Sequence, residues 1–172
     1  MISKPQPDEY PPFYQGYIYI AMVGDDDVLE KLTVNQKKTY EFFLSLPPEK
    51  ADFAYAEGKW SIKEVLGHMI DTERIMSYRL LRFSRADHHP LAGFNENFYT
   101  SRSNYKLREL EDLAAEFSAL RKANLYLYKN LNEDQLKRKG TASNATVSVK
   151  ALLFIIAGHE MHHINIIKER YL

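Results

Sequence analysis

Residues 158–165 read GHEMHHIN and place three histidines and a glutamate within five consecutive positions. His159 and His163 are four residues apart, so on a helix they share one face with Cβ atoms about 5–6 Å apart. That separation lets two imidazoles bind one metal ion. His162, three residues after His159, could take the place of His163 on the same grounds. The stretch also fits H-E-x-x-H as His159-Glu160-Met161-His162-His163, a pattern in which zinc proteases use the glutamate as general base. Such enzymes take their third ligand from further along the chain. Only nine residues follow His163, none of them His or Cys, and Glu169 comes too soon. H-x-x-G-x-x-H does not occur either. The pattern argues against a protease and sends the search for a third ligand upstream. His68 is the best candidate, in a largely apolar segment with Val65, Leu66 and Ile70.

The elements that must position these residues are helices. Asp25, Asp26 and Asp27 put negative charge where a helix N-terminus favours it. From Val28 the apolar residues keep helical spacing until Pro47-Pro48. Ser61 and Glu64 form a capping box for a second helix reaching about residue 83. A third helix is expected from about Leu107 to Leu131, and a fourth from near Ser148 to the end. Residues 84–106 carry Gly, Pro and Asn with no sustained period, and residues 132–146 read as a loop with room for one helical turn. Residues 1–24, rich in Pro and Tyr, read as an extended N-terminal arm packed on one bundle domain, residues 25–172.

Four helices of ~20 residues imply an all-α four-helix bundle. Its topology follows from the histidines. His68 lies about two turns into its helix, whereas His159 and His163 lie in the second half of theirs. They reach one height only if those two helices are antiparallel. A simple up-down-up-down chain would make them parallel. The irregular stretch after residue 83 resolves the conflict, because at about 3.3 Å per residue it spans a ~30 Å helix. The expected order is up-down-down-up, with a long crossover between the second and third helices.

Composition excludes several functions. The 172 residues include 23 Lys+Arg and 23 Asp+Glu, so no global positive charge draws the chain to nucleic acid. There is no cysteine, which excludes thiolate catalysis, disulfides and Cys-ligated zinc. The apolar run from Tyr17 to Val23 is too short for a signal peptide and follows four prolines. No stretch approaches the ~18 apolar residues of a membrane span. A cytoplasmic protein is the expectation.

The segments GKWSIKEVLGHMIDTERIMSYRLLRFSRAD, LAGFNENFY, EFSALRKANLYLYKNL and SVKALLFIIAGHEMHHINIIKERYL together resemble the DinB/YfiT-like superfamily. The resemblance covers roughly residue 27 to the C-terminus, with motif order and spacing both in agreement. It implies an up-down-down-up four-helix bundle holding one divalent metal on three histidines, commonly in a homodimer. The family's ligands would be His68, His159 and His163, which favours His163 over His162. Relatives implied by the resemblance include S-transferases and isomerases that use a low-molecular-weight thiol, and many members carry a hydrolase label.

Three protein ligands leave coordination positions open, as catalytic rather than structural sites do. Zinc is the first choice of metal; nickel, manganese and iron also accept three imidazoles. A chain without cysteine would need an external thiol for sulfur chemistry. Glu160 is a weak candidate for general base, since adjacent helix positions point ~100° apart, and an interhelical ion pair is its plainer role. Asp71, one turn after His68, could hold an imidazole or simply be a surface charge. Trp60 reads as a hydrophobic staple, His88 and His89 as exposed loop residues, and the Lys and Arg along the helices as solvated. The topology puts Tyr55, Glu57, Phe98, Tyr99, Arg102 and Asn104 near the mouth as candidate contacts for a small-molecule substrate, with Arg102 suited to a carboxylate. The expected function is a metal-dependent thiol transferase or hydrolase; a non-enzymatic metal-binding or interaction protein is the alternative.

Overall fold

In a computed structural model describing residues 1–172, seven α-helices and one β-hairpin follow one another along the chain. They are α1 (Gln15–Met22), α2 (Val28–Leu44), α3 (Ile62–Ser84), α4 (Glu96–Ser101), α5 (Leu110–Tyr128), α6 (Glu133–Lys137), β1 (Lys139–Ala142), β2 (Ala145–Ser148) and α7 (Val149–Arg170). Three of the four long helices begin on caps that the sequence signals, while α5 starts at Leu110, after a 3₁₀ turn over Tyr105–Leu107. Asp27 caps α2 by accepting from the Leu29 amide at 2.9 Å. Ser61 and Glu64 close a reciprocal capping box on α3. Ser148 caps α7 through the Ala151 amide. Each cap satisfies amides that the first turn leaves free.

Pairings between helices establish the topology. Leu32 and Gln36 of α2 meet Arg121 and Ser118 of α5, so these two run antiparallel. Glu73 and Ser77 of α3 meet Arg121 and Tyr128, so α3 and α5 run parallel. On α7, His159 meets His68, while Val65 and His163 line one cleft, which makes α7 antiparallel to α3. The order is up-down-down-up, as expected.

Two apolar clusters fill the bundle. One joins Leu32, Met76, Leu80, Leu125, Tyr128 and the first half of α7. The other joins Phe43, Leu66, Met69, Leu113, Phe117 and Ile167. Between them in every long helix lies a polar step: Thr39, then His68, Thr72 and Glu73, then Arg121, then His159 and Glu160, all buried. The candidate site is therefore a polar layer sandwiched at mid-height between two hydrophobic halves.

The N-terminal segment departs from expectation. It is not an extended arm: residues 15–22 form α1, which lies along α7. Its prolines do not oppose this, because Pro7 and Pro12 open short 3₁₀ turns, where a missing amide proton is harmless. α7 is buried almost all round from Ala151 to Glu160, and α1 covers the face that four helices alone would leave to water. Gly158 permits the approach, since a Cβ there would fall on the Tyr17 carbonyl. The loop before α7 is also more ordered than expected. α6 is followed by the hairpin, whose Ser143 and Asn144 both have positive φ, 51° and 61°, as a type I′ turn requires. Leu91 in the crossover pairs beside Ala142 and ties the long connection to the hairpin. No helix is long and apolar enough to cross a membrane.

Candidate metal centre

Three imidazoles converge in the polar layer. His68 comes from α3; His159 and His163 come from successive turns of α7. The Nε2 atoms of His68 and His159 are 2.9 Å apart, and those of His163 and His159 are 3.1 Å apart. One ring nitrogen from each residue lies within 4.8 Å of the other two. A tetrahedral ion with Zn–N bonds of about 2.0–2.1 Å needs its nitrogens about 3.3 Å apart, so the donor set fits a single divalent ion.

Electrostatics favour the same reading. Burial lowers the pKa of His68 to about 4, with His162 adding to the effect. Burial lowers that of His163 to about 3, with His68 and His162 contributing. His159 is lowered well below its ordinary value by burial and then by its histidine neighbours. All three are neutral at pH 7, with lone pairs available to a cation. His68 and His159 are buried and His163 is half-buried, and no carboxylate lies among the three donor nitrogens.

His162 stands outside this trio. It lines a cleft of about 420 Å³ together with His163, Tyr55, Trp60, Glu96, Asn97 and Tyr171. Burial lowers its pKa too, with Glu169 opposing. A second chamber of about 250 Å³ reaches His68 and His159 and shares Glu96 with the cleft. Both cavities thus reach histidines of the centre.

Other expected residues fall in varied places. Trp60 packs its ring 4.8 Å from that of His68. Tyr55 lines the cleft, but Phe98, Tyr99 and Arg102 line neither cavity. Arg102 instead stacks on the exposed Phe98 ring at 3.8 Å, and Tyr99 packs against Phe94. From α4 it is Glu96 and Asn97 that face the cleft. Glu57 and Asn104 are exposed, and neither lines these cavities. Asp71 interacts with Tyr105 rather than with an imidazole; burial raises its pKa and the Tyr105 hydrogen bond opposes the rise. His88 and His89 are exposed as expected.

Glu160 points into the bundle. Its Oε2 accepts from Arg121 at 2.7 Å and its Oε1 from the Thr39 hydroxyl at 2.5 Å. Arg121 also grips Glu73 through two bonds of 2.7 and 2.8 Å. Burial works against the Arg121 charge, but Glu160 and Glu73 outweigh it and raise its pKa. Reading every helical Lys and Arg as solvated was therefore wrong for Arg79, Arg121 and Lys63, which are buried. Arg121 carried a signal: it sits in register with Leu113, Phe117, Leu125 and Tyr128 on the buried stripe of α5. Tyr17 was also missed. Its ring lies 5.3 Å from both His159 and His162, edge-on, a contact that only the unforeseen α1 provides.

A sequence model described as the DinB superfamily matches residues 31–167. A protein of Oceanobacillus iheyensis named "Putative metal-dependent hydrolase" is 26% identical over 160 residues, covering 85% of this chain and 91% of that protein. The structure of YfiT from Bacillus subtilis, described as "a probable metal-dependent hydrolase with an unusual four-helix bundle topology", superposes with a TM-score of 0.69 at 19% identity. The match covers 97% of this chain and 90% of YfiT. The DinB-like protein YjoA of Bacillus subtilis superposes with a TM-score of 0.58 at 16% identity, over 85% and 90% of the two chains. With its family match spanning most of the sequence and its bundle shared with these structures, this chain belongs to the DinB superfamily.

Proposed function

We propose that the protein is a metal-dependent enzyme acting on a small molecule, with His68, His159 and His163 as the metal ligands. The observation carrying this reading is the convergence of three neutral imidazoles, two buried and one half-buried, that line two cavities. These three imidazoles would hold a divalent ion such as zinc, whose chemistry would be to lower the pKa of a water or thiol and so give a nucleophile near neutral pH.

The chain's own residues do the rest. The two apolar clusters hold α3 and α7 rigidly, so the imidazoles are preorganised. Trp60 and Tyr17 pack against the His68 and His159 rings and restrict their orientation. Arg121 and Thr39 occupy both carboxylate oxygens of Glu160, so we assign it a positioning role in α7 rather than proton transfer. Tyr55 remains our candidate substrate contact in the cleft beside His163.

Hydrolysis is the reading we favour, because the relatives above carry that description. The two cavities reaching the histidines favour a second reading, in which an external thiol occupies one and its electrophile the other. Zinc-, nickel- or manganese-loaded protein should be assayed with aryl esters, and with electrophiles in the presence and absence of added thiols. Ester hydrolysis that disappears in His163→Ala supports the first reading, and turnover that requires the thiol selects the second. Inactivity across both panels with a fully loaded centre contradicts the enzyme.

A further inference from the structure

Three cationic side chains are buried in this protein: Lys63, Arg79 and Arg121. Lys63 pairs with Asp52, and Arg121 with Glu73 and Glu160. Arg79, only 2% exposed, has no carboxylate partner. Its oxygen partners are all uncharged: the Tyr14 hydroxyl at 3.3 Å, and the Ala92 carbonyl and Ser143 hydroxyl at 3.0 Å each. With a contact to the Met76 sulfur, these bonds occupy the two terminal nitrogens without neutralising the charge and leave Nε–H without a partner; an uncompensated buried charge is costly.

Arg79 lines the chamber of about 250 Å³ that reaches His68 and His159. His68, Thr72, Met76 and Arg79 recur at helical spacing along one face of α3 and all line that chamber. The Thr72 hydroxyl, in a residue only 4% exposed, has no hydrogen-bond partner. Buried polar groups are ordinarily satisfied, so this wall carries both an unpaired charge and an unpaired hydroxyl. The facing wall is aromatic, with Tyr14, Tyr17 and Phe94.

We propose that this chamber binds a small monocarboxylate with an apolar or aromatic body. Its carboxylate pairs with Arg79, its body lies over Met76 and the aromatic rings, and its other end faces His68 and His159. The assignment of this ligand as substrate rests on the metal-enzyme reading; its binding does not. A single guanidinium matches a single negative charge. Glu96, the one carboxylate in the lining, is exposed whereas Arg79 is buried, and a phosphate dianion would find no second cation there. Eleven residues of helix separate Arg79 from His68, a rise of about 16 Å that the N-terminal lean of the Arg side chain shortens. The carboxylate must then lie several bonds from the reacting atom.

The test is calorimetric titration of chelator-treated protein with 4-phenylbutyrate, its neutral amide 4-phenylbutanamide, and inorganic phosphate. The acid should bind at least about ten-fold more tightly than the amide, a difference of about 1.4 kcal/mol, and phosphate should bind no better than the amide. R79Q should erase the preference for the acid. Because that substitution also removes hydrogen bonds, the Arg79 Nε–Hε resonance of the wild-type protein gives a second readout, shifting with the acid and not with the amide. Equal binding of acid and amide, or a stationary Arg79 resonance, overturns the proposal, and phosphate binding as tightly as the acid overturns the carboxylate assignment. Metal analysis separates the two readings. A metal-free protein that still binds the acid through Arg79 removes the enzyme but keeps the anion site, whereas a metal-loaded protein without acid preference removes the anion site alone.

Discussion

The Nε2 atoms of His68 and His159 lie 2.9 Å apart although 91 positions separate them in the chain. α3 and α7 can meet this way only because they are antiparallel, which in turn requires the long crossover. The histidine cluster and the chain topology are one constraint in this protein.

If that pair and His163 bind an ion, the ion stabilises the fold by linkage. At a free metal concentration 100 times its dissociation constant the gain is about 2.7 kcal/mol. For a chain of this size that corresponds to roughly 5–10 °C in Tm. Thermal unfolding with and without zinc should show the rise in the wild type and none in His163→Ala. A variant that keeps the full rise excludes His163 as a ligand.

Protonation should act in the opposite sense. His68 and His163 have folded pKa values of about 4 and about 3, against about 6.5 when unfolded. The unfolded chain therefore takes up protons first as pH falls. Stability of the metal-free protein is complete above pH ~6.5 and declines below it, until pH passes the folded values. Each histidine contributes a slope of up to about 1.4 kcal/mol per pH unit. Urea unfolding from pH 7 to 4.5 measures it. The double variant His68→Gln, His163→Gln should flatten this window, and an unchanged slope would place the proton uptake elsewhere.

Arg121 holds two buried carboxylates. Arg121→Met leaves both without their cation, at a cost of about 3–5 kcal/mol by the behaviour of broken buried ion pairs. Glu160→Gln keeps the shape and one acceptor oxygen, so its loss should be smaller and the metal should stay bound. Denaturant midpoints together with metal content check both outcomes. Loss of metal in Glu160→Gln would show that the carboxylate does more than position α7.

Gly158→Ala tests the α1 contact. The new methyl meets the Tyr17 backbone, and overpacking of this kind costs about 1–3 kcal/mol. α1 should loosen, exposing the His159 flank to solvent. Hydrogen exchange of residues 15–22 should accelerate in the variant, and unchanged protection would mean that α1 tolerates the displacement.

The long helices and their order were legible because caps and apolar spacing are local signals, and because three histidines had to reach one height. α1 was not, since four prolines and a short tyrosine-rich run carry no amphipathic period, and its helix forms against α7. The hairpin escaped for a similar reason: its strands are four residues each, and Ser143-Asn144 is a weaker turn signal than Asn-Gly. Spacing and topology point to His68 and His159 with either His162 or His163, and the family resemblance favours His163. Arg79 could not be read this way, because whether an arginine on a helix is solvated or enclosed depends on the crossover and hairpin that cover it.

The most direct measurement is elemental mass spectrometry of tag-free protein beside His68→Ala, both checked for folding by circular dichroism. The account predicts about one divalent metal per wild-type chain and loss of that metal in the folded variant. A folded wild-type protein that holds no metal, and gains no thermal stability from added zinc, nickel or manganese, would contradict it and leave the three histidines as packing residues.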